Sequence, residues 1–231
     1  MPADPGLAMP FLIVQPAERR LMVTRRLLLA GLAALPAAPA LAIPPARRLG
    51  FRVIRNGSTI GQHLLDFKAD GNRLAVRITV ELAVGFGPIT LYRYRHNATE
   101  QWEDGRVIAF QAETNDDGAV ATIAMRPRDG VLAVESSQAG AYLAPAGALP
   151  ATHWNRRMLE GPFINTQTGA VMRPAVTRVG AEPLPWSPNR RAERIQLSGD
   201  VDMETWYDDT PAWMGLRFRG RDGSSIHYEL I

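Results

Sequence analysis

The chain predicts an all-β protein, an antiparallel meander of about ten or more strands forming a barrel, a part-open barrel or a sandwich. Three observations carry this. Leu74, Val76, Ile78, Val80, Leu82 and Val84 alternate strictly with Ala75, Arg77, Thr79, Glu81 and Ala83, the period of a strand with one buried face. Six pairs punctuate the alternating runs: Asn56-Gly57, Asp70-Gly71, Asp104-Gly105, Asp117-Gly118, Asp129-Gly130 and Asp222-Gly223. Such pairs supply the positive φ angles of tight hairpins. No stretch carries a convincing long helical period.

In chain order, residues 1–42 read as an N-terminal extension and a cleaved export signal, with the true start at Met22. Thr24, Arg25 and Arg26 precede the apolar run 27–35, which breaks at Pro36 and ends in the small-x-small site Ala40-Leu41-Ala42. The run falls short of the about 20 apolar residues that a bilayer span needs. Adjacent arginines before leucines resemble both the twin-arginine and the general secretory signal. The mature chain is expected to begin at Ile43 as one β-rich domain, 43–231, long enough to bury a core. It has no second long apolar segment and no cysteine for a lipid anchor, so a soluble periplasmic or secreted protein is expected.

After residue 50 the strand-like runs are 51–56, 59–68, 74–84, 89–96, 107–114, 120–126 and 131–136, then 194–197, 201–207, 214–219 and 225–230. Hairpin connections run almost unbroken from 50 to 137, which favours the barrel-like option. Residues 151–190 are the least regular, and any site is expected to gather there. Pro183-Leu184-Pro185-Trp186-Ser187-Pro188 reads as loop only.

Composition removes several functions. Without residues 1–42 the chain holds 22 basic and 21 acidic side chains, so no clustered positive charge points to nucleic acid. The absence of cysteine excludes disulfides, a thiolate nucleophile and thiolate metal sites. No phosphate-cradling glycine motif and no metal-spaced histidine cluster is present, so neither cofactor nor metal is expected. Gly223-Ser224-Ser225 lacks the second glycine of a nucleophile elbow. Asp116-Asp117 and Asp208-Asp209 read as turn carboxylates, because consecutive strand residues face opposite ways.

Several elements carry a family resemblance: Gly61, Tyr92-Arg93-Tyr94-Arg95-His96, Glu100-Gln101-Trp102, Thr114 to Gly118, Thr152-His153-Trp154-Asn155, Asn165-Thr166 with Gly169, Trp206-Tyr207-Asp208, and the ending Gly223 to Leu230. Over roughly residues 48–231 the chain resembles an uncharacterised family of exported bacterial β-rich proteins, a domain of unknown function. It is more distantly similar to other periplasmic β-barrel-like domains of unknown function. The resemblance implies fold and compartment and transfers no catalytic residues.

The ligand-binding candidates are His153, Trp154, Asn155, Asn165, Tyr92, Tyr94, Arg93, Arg95, Trp206, Tyr207 and Asp208. His153 stands beside an aromatic residue in a long loop. His63 and His227 read as outward polar residues of strands, and His96 as a surface or cross-strand partner. Tyr92 and Tyr94 share one strand face while Arg93 and Arg95 share the other. Tyrosines inside would narrow an apolar cavity; arginines inside would make an anion-binding lumen. Trp206 and Tyr207 must face opposite ways, one into the core. The function expected is a non-catalytic binding module for a hydrophobic or amphiphilic envelope ligand. The alternatives are a cavity enzyme using His153 with Asp208 or Asn165, and an interaction domain with a filled core.

Overall fold

A computed structural model describes residues 47–86 and 89–231. The extension, the leader with Arg25, Arg26, Ala40 and Ala42, and the expected mature start lie outside the described residues.

The first eight strands form a continuous meander: β1 (Arg48–Arg55), β2 (Ser58–Asp70), β3 (Arg73–Phe86), β4 (Ile89–Glu103), β5 (Arg106–Asp116), β6 (Ala119–Arg128), β7 (Val131–Ser136) and β8 (Gly140–Leu143). An irregular stretch follows, holding β9 (Leu149–Pro150), a 3-10 turn (Arg156–Glu160), β10 (Phe163–Ile164) and β11 (Val171–Met172), the three strands pairing as a small sheet. A second meander, β12 (Ala175–Leu184), β13 (Ser187–Ser198), β14 (Met203–Tyr207), β15 (Trp213–Arg219) and β16 (Ser225–Leu230), completes the chain. The last strand pairs antiparallel with the first, placing Phe51 opposite Leu230 and Val53 opposite Tyr228. Both meanders thereby join into one 13-stranded sheet with β12 and β8 at its edges. The sheet is a part-open barrel.

Four of the six turns follow the dipeptides as expected, while Asp70 stays within β2 and neither it nor Asp222 takes a positive φ. Asn56, Asp104, Asp117 and Asp129 have φ between 47° and 51°, each followed by a glycine with positive φ. Two successive positive φ values twist a two-residue loop in the sense the strands demand. The alternation of β3 also holds, with Leu74, Val76, Ile78, Val80 and Leu82 buried. Strand β4 continues past His96 to Glu103, because inward residues persist at Ala98, Glu100 and Trp102.

The segment 183–188 is a hairpin rather than a loop, and β12 is a strand the pattern does not announce. Nearly all of its residues are exposed, so no hydrophobic alternation marks it. Pro183 is tolerated because β12 is an edge strand, with one side of its backbone unpaired.

Segment 144–173 fills the inside of the curl. Ala144, Ala148, Ala151, Trp154, Met158, Phe163, Ile164 and Met172 join the same core as Phe51, Leu65, Val76, Phe110, Met125, Ile195 and Leu216 from the wall. A second, smaller cluster of Leu184, Ala192, Trp206 and Met214 forms where the β12–β13 hairpin folds over the outer face, with Trp186 packed on it. Gly215 makes room there: its φ is +137°, and a Cβ would lie 2.6 Å from the Trp186 ring.

Candidate functional site

Three of the chain's four histidines converge inside the curl. His63 shares the inward parity of Leu65 and Phe67 on β2, so it is buried rather than outward as the sequence suggested. His96 follows Tyr92 and Tyr94 on the inward face of β4, and its Nδ1 lies 2.8 Å from Thr114 Oγ1 across the pair to β5. That cross-strand partnership was the expectation for His96, although it is made inside. His153 comes from the filling segment. His227 does face outward, 3.0 Å from Glu229 and stacked on Trp186.

The three inner histidines, with Tyr94, Thr152, Gln167 and Tyr228, line a small chamber of about 50 Å³. Trp213 forms part of its packing. The His153 ring stacks on Trp213 at 5.2 Å, and His63 meets the edge of Trp213 at 5.4 Å and of Tyr228 at 5.7 Å. Burial holds all three imidazoles neutral, with His96 lowered to about 4 and His153 to about 3. His63 is held well below its ordinary value by burial first, then by His153 and His96. Both ring nitrogens of His63 are buried without a hydrogen-bond partner, while the Tyr94 hydroxyl faces Gln167.

Thr152 also faces a second polar feature, the Glu100 carboxylate, which is 1% exposed. Trp102 Nε1 donates to Glu100 at 2.6 Å, and Trp154 Nε1 donates at 3.1 Å. Burial, the largest influence, pushes the carboxyl up to about 7 against the pull of these donors. No cation pairs with Glu100 among the described residues. Trp154 also packs edge-on against Phe67 and Trp102, so one side chain ties the filling segment to β2 and β4.

Most remaining candidates hold this segment in place. The Tyr207 hydroxyl donates to the His153 carbonyl at 2.8 Å, and Arg156 lies over the Tyr207 ring while pairing with Glu193. Asn155 Oδ1 accepts from Arg157 N, capping the 3-10 turn. Asn165 Oδ1 accepts from Gln167 N and Thr168 N, shaping the loop that presents Gln167. Residue parity settles β4: Tyr92 and Tyr94 point in, Arg93 and Arg95 point out. The Tyr92 hydroxyl donates to Asp116, and Arg95 lies 3.8 Å from Glu81. Trp206 and Tyr207 do face opposite ways, yet both are buried, because Trp206 enters the outer cluster and donates to Glu182. Asp208 accepts from Thr210 and Ala212 as a turn carboxylate and does not line the chamber that holds His153.

The arrangement therefore unites His153 and Tyr94 with His63, His96, Thr152 and Gln167, and adds Glu100. Three of the missed residues carried a signal: His63, His96 and Glu100 each sit on the apolar parity of their strand, whereas Thr152 and Gln167 lie outside any strand. Among the described residues no group of histidines and carboxylates has the geometry to hold a metal ion. No helix of the described residues is long and apolar enough to cross a membrane.

Comparison with known proteins places this geometry in a family. The model of a domain of unknown function, DUF6134, matches residues 51–231, and the chain belongs to that family. No curated protein matches the chain. A crystal structure of a β-barrel-like protein of domain of unknown function DUF1849 from Brucella abortus superposes with a TM-score of 0.56 at 10% identity. The match covers 80% of this chain and 94% of that one, and it shows a shared fold.

Proposed function

We propose that this DUF6134 member is an exported, non-catalytic binding domain of the bacterial envelope, and that its ligand is a small hydrogen-bonding molecule held in the histidine chamber. One observation carries the reading: both ring nitrogens of buried His63 lack a hydrogen-bond partner, and His63 lines a small cavity with His96, His153, Tyr94 and Thr152. Each buried hydrogen bond left unmade costs about 1–3 kcal/mol, so an occupant that satisfies these groups stabilises the fold. The neutral imidazoles and hydroxyls offer donors and acceptors together, which suits an uncharged polar molecule better than an ion. The size of the chamber, about 50 Å³, limits that molecule to a few non-hydrogen atoms. An amphiphile with an acyl chain would need the volume that segment 144–173 occupies. Export is supported by the Arg25-Arg26 leader pattern ending at Ala42.

Native mass spectrometry of the protein recovered from the periplasm, followed by extraction, tests both parts. The expected result is a chain beginning at Ile43 that carries a discrete small molecule, lost in the His63→Phe variant. A bare polypeptide mass under gentle desolvation would overturn the binding reading and favour a water-filled structural core. A mass retaining residues 22–42 would overturn cleavage.

A further inference from the structure

We propose that the end of the barrel formed by the β4–β5 and β6–β7 turns holds a binding site separate from the histidine chamber, a groove that takes a single-chain amphiphile with an anionic head. The wall splits at this end. Pairing of β4 with β5 runs to Glu103 opposite Arg106, and pairing of β6 with β7 runs to Arg128 opposite Val131, whereas pairing of β5 with β6 stops at Phe110 opposite Met125. Residues 106–109 and 126–128 therefore make no ladder with each other. Two local features account for the split. Ile108 is the extra residue of a β-bulge, since Val107 opposes Trp102 and Ala109 opposes Gln101, and a bulge bends its strand. Pro127 has no N–H to give to a ladder.

The split opens onto residues 145–149 of the filling segment, and together they bound a groove of about 1180 Å³. Its walls are apolar: Val107, Ile108, Val131 and Leu132 on the strands, Pro145 and Leu149 on the segment. Mostly apolar grooves with a few placed polar groups are the usual form of a small-molecule site. The groove shares no lining residue with the histidine chamber. An acyl chain held here lies outside the volume that the inner segment fills.

Arg157 places the head group. It is half-buried, its Nη1 donates to the Gly105 carbonyl at 3.1 Å, and its buried Nε has no hydrogen-bond partner. Among the described residues no carboxylate lies within 4.0 Å of its guanidinium. A partly desolvated cation without a counter-ion is costly, and an anionic head beside it offsets that cost. The other charges at the groove are engaged or solvated: Glu103 pairs with Arg73 at 2.9 Å, Asp104 accepts from Asn72 at 3.0 Å, and Arg106 and Glu160 are exposed. The groove as a whole is not basic, so one guanidinium holds the head and the apolar walls supply most of the affinity. A peptide strand is a poorer occupant, because the unpaired stretch is short and Pro127 withholds a donor from any added ladder.

Calorimetric titration of the delipidated protein with dodecanoate below its micellar concentration, and with dodecanol as the uncharged counterpart, tests this. The wild type should bind dodecanoate at a single site and dodecanol about tenfold more weakly, the difference a charge-assisted hydrogen bond makes. Amide shifts on binding should fall at 106–109, 128–132 and 146–149. Arg157→Leu should weaken dodecanoate about tenfold and leave dodecanol unchanged. Val131→Trp fills the groove and should weaken both. Val179→Asp, on the edge strand β12 and outside the groove, should bind like the wild type. Circular dichroism checks that each variant folds, and the shift map of the wild type stands without any of them. Absence of dodecanoate binding, shifts confined to the histidine chamber, equal affinity for dodecanol, or wild-type affinity in a folded Arg157→Leu each overturns the proposal. Absence of dodecanoate binding leaves the reading of the chamber standing, since that concerns a smaller, uncharged molecule.

Discussion

Glu100 concentrates the chemistry of the interior in one side chain. A carboxylate with no paired cation survives burial because two indole N–H groups point at it. Its carboxyl is pushed up to about 7, so the folded state holds a proton that the unfolded chain has released above about pH 4.5. Stability therefore falls as pH rises from about 4.5 to about 7 on account of this residue, and is level above that. Glu100→Gln removes the titration while keeping one acceptor for an indole. Relative to the wild type, the variant should gain about 2–3 kcal/mol between pH 5 and pH 8, read from urea midpoints at the two pH values. Equal differences at both would mean that Glu100 is charged throughout. The residue was visible in the sequence, since Glu100 lies between Ala98 and Trp102 on one strand parity. A search for alternating apolar residues passes over a polar side chain on the inward face, and His63 and His96 were missed for the same reason.

Elements were legible where local chemistry fixes them. The β1–β7 meander follows from residue parity and from turn dipeptides whose φ values a hairpin requires. Strand β12 and segment 144–173 were not, because their positions depend on partners distant in sequence. The segment is an inner wedge rather than an open loop, and its seat against the sheet is narrow. Gly169, with φ at +78°, packs so closely that a Cβ would lie 2.6 Å from the Ser136 Cβ. Ser136 donates to the Thr168 carbonyl at 2.7 Å, and Tyr142 donates to that of Gly169. Gly169→Ala must both strain its own backbone and displace Ser136 at the end of β7. It should cost about 2 kcal/mol or more and loosen the segment before the sheet. Hydrogen exchange should then rise across 144–173 while the amides of β3 and β4 keep their protection. Uniform loss of protection would show that the segment and the sheet unfold as one unit.

The whole molecule is a long sheet curled around its own connecting segment, and this architecture makes acid its weak condition. Three neutral histidines are buried between β2, β4, β15 and the inner segment, all held below the value of 6.5 that they regain on unfolding. Their contribution to stability is complete above about pH 6.5 and is lost as pH falls toward about 4, where His96 begins to charge in the folded state. Glu100 acts in the opposite sense over part of this range. Three protons taken up by histidines on unfolding outweigh the one released by that carboxyl. Between pH 5 and pH 6 the balance is about two protons, a slope of up to about 2.7 kcal/mol per pH unit in favour of the higher pH. The urea midpoint should thus fall steeply from pH 6.5 to pH 5 with an unchanged m-value. His63→Phe fills its site with an aromatic ring of similar shape and should reduce the slope by about one proton, since one histidine no longer titrates on unfolding. A wild-type slope near zero in that interval would mean that the inner histidines are already solvated or charged in the folded protein, and the buried chamber would have to be abandoned.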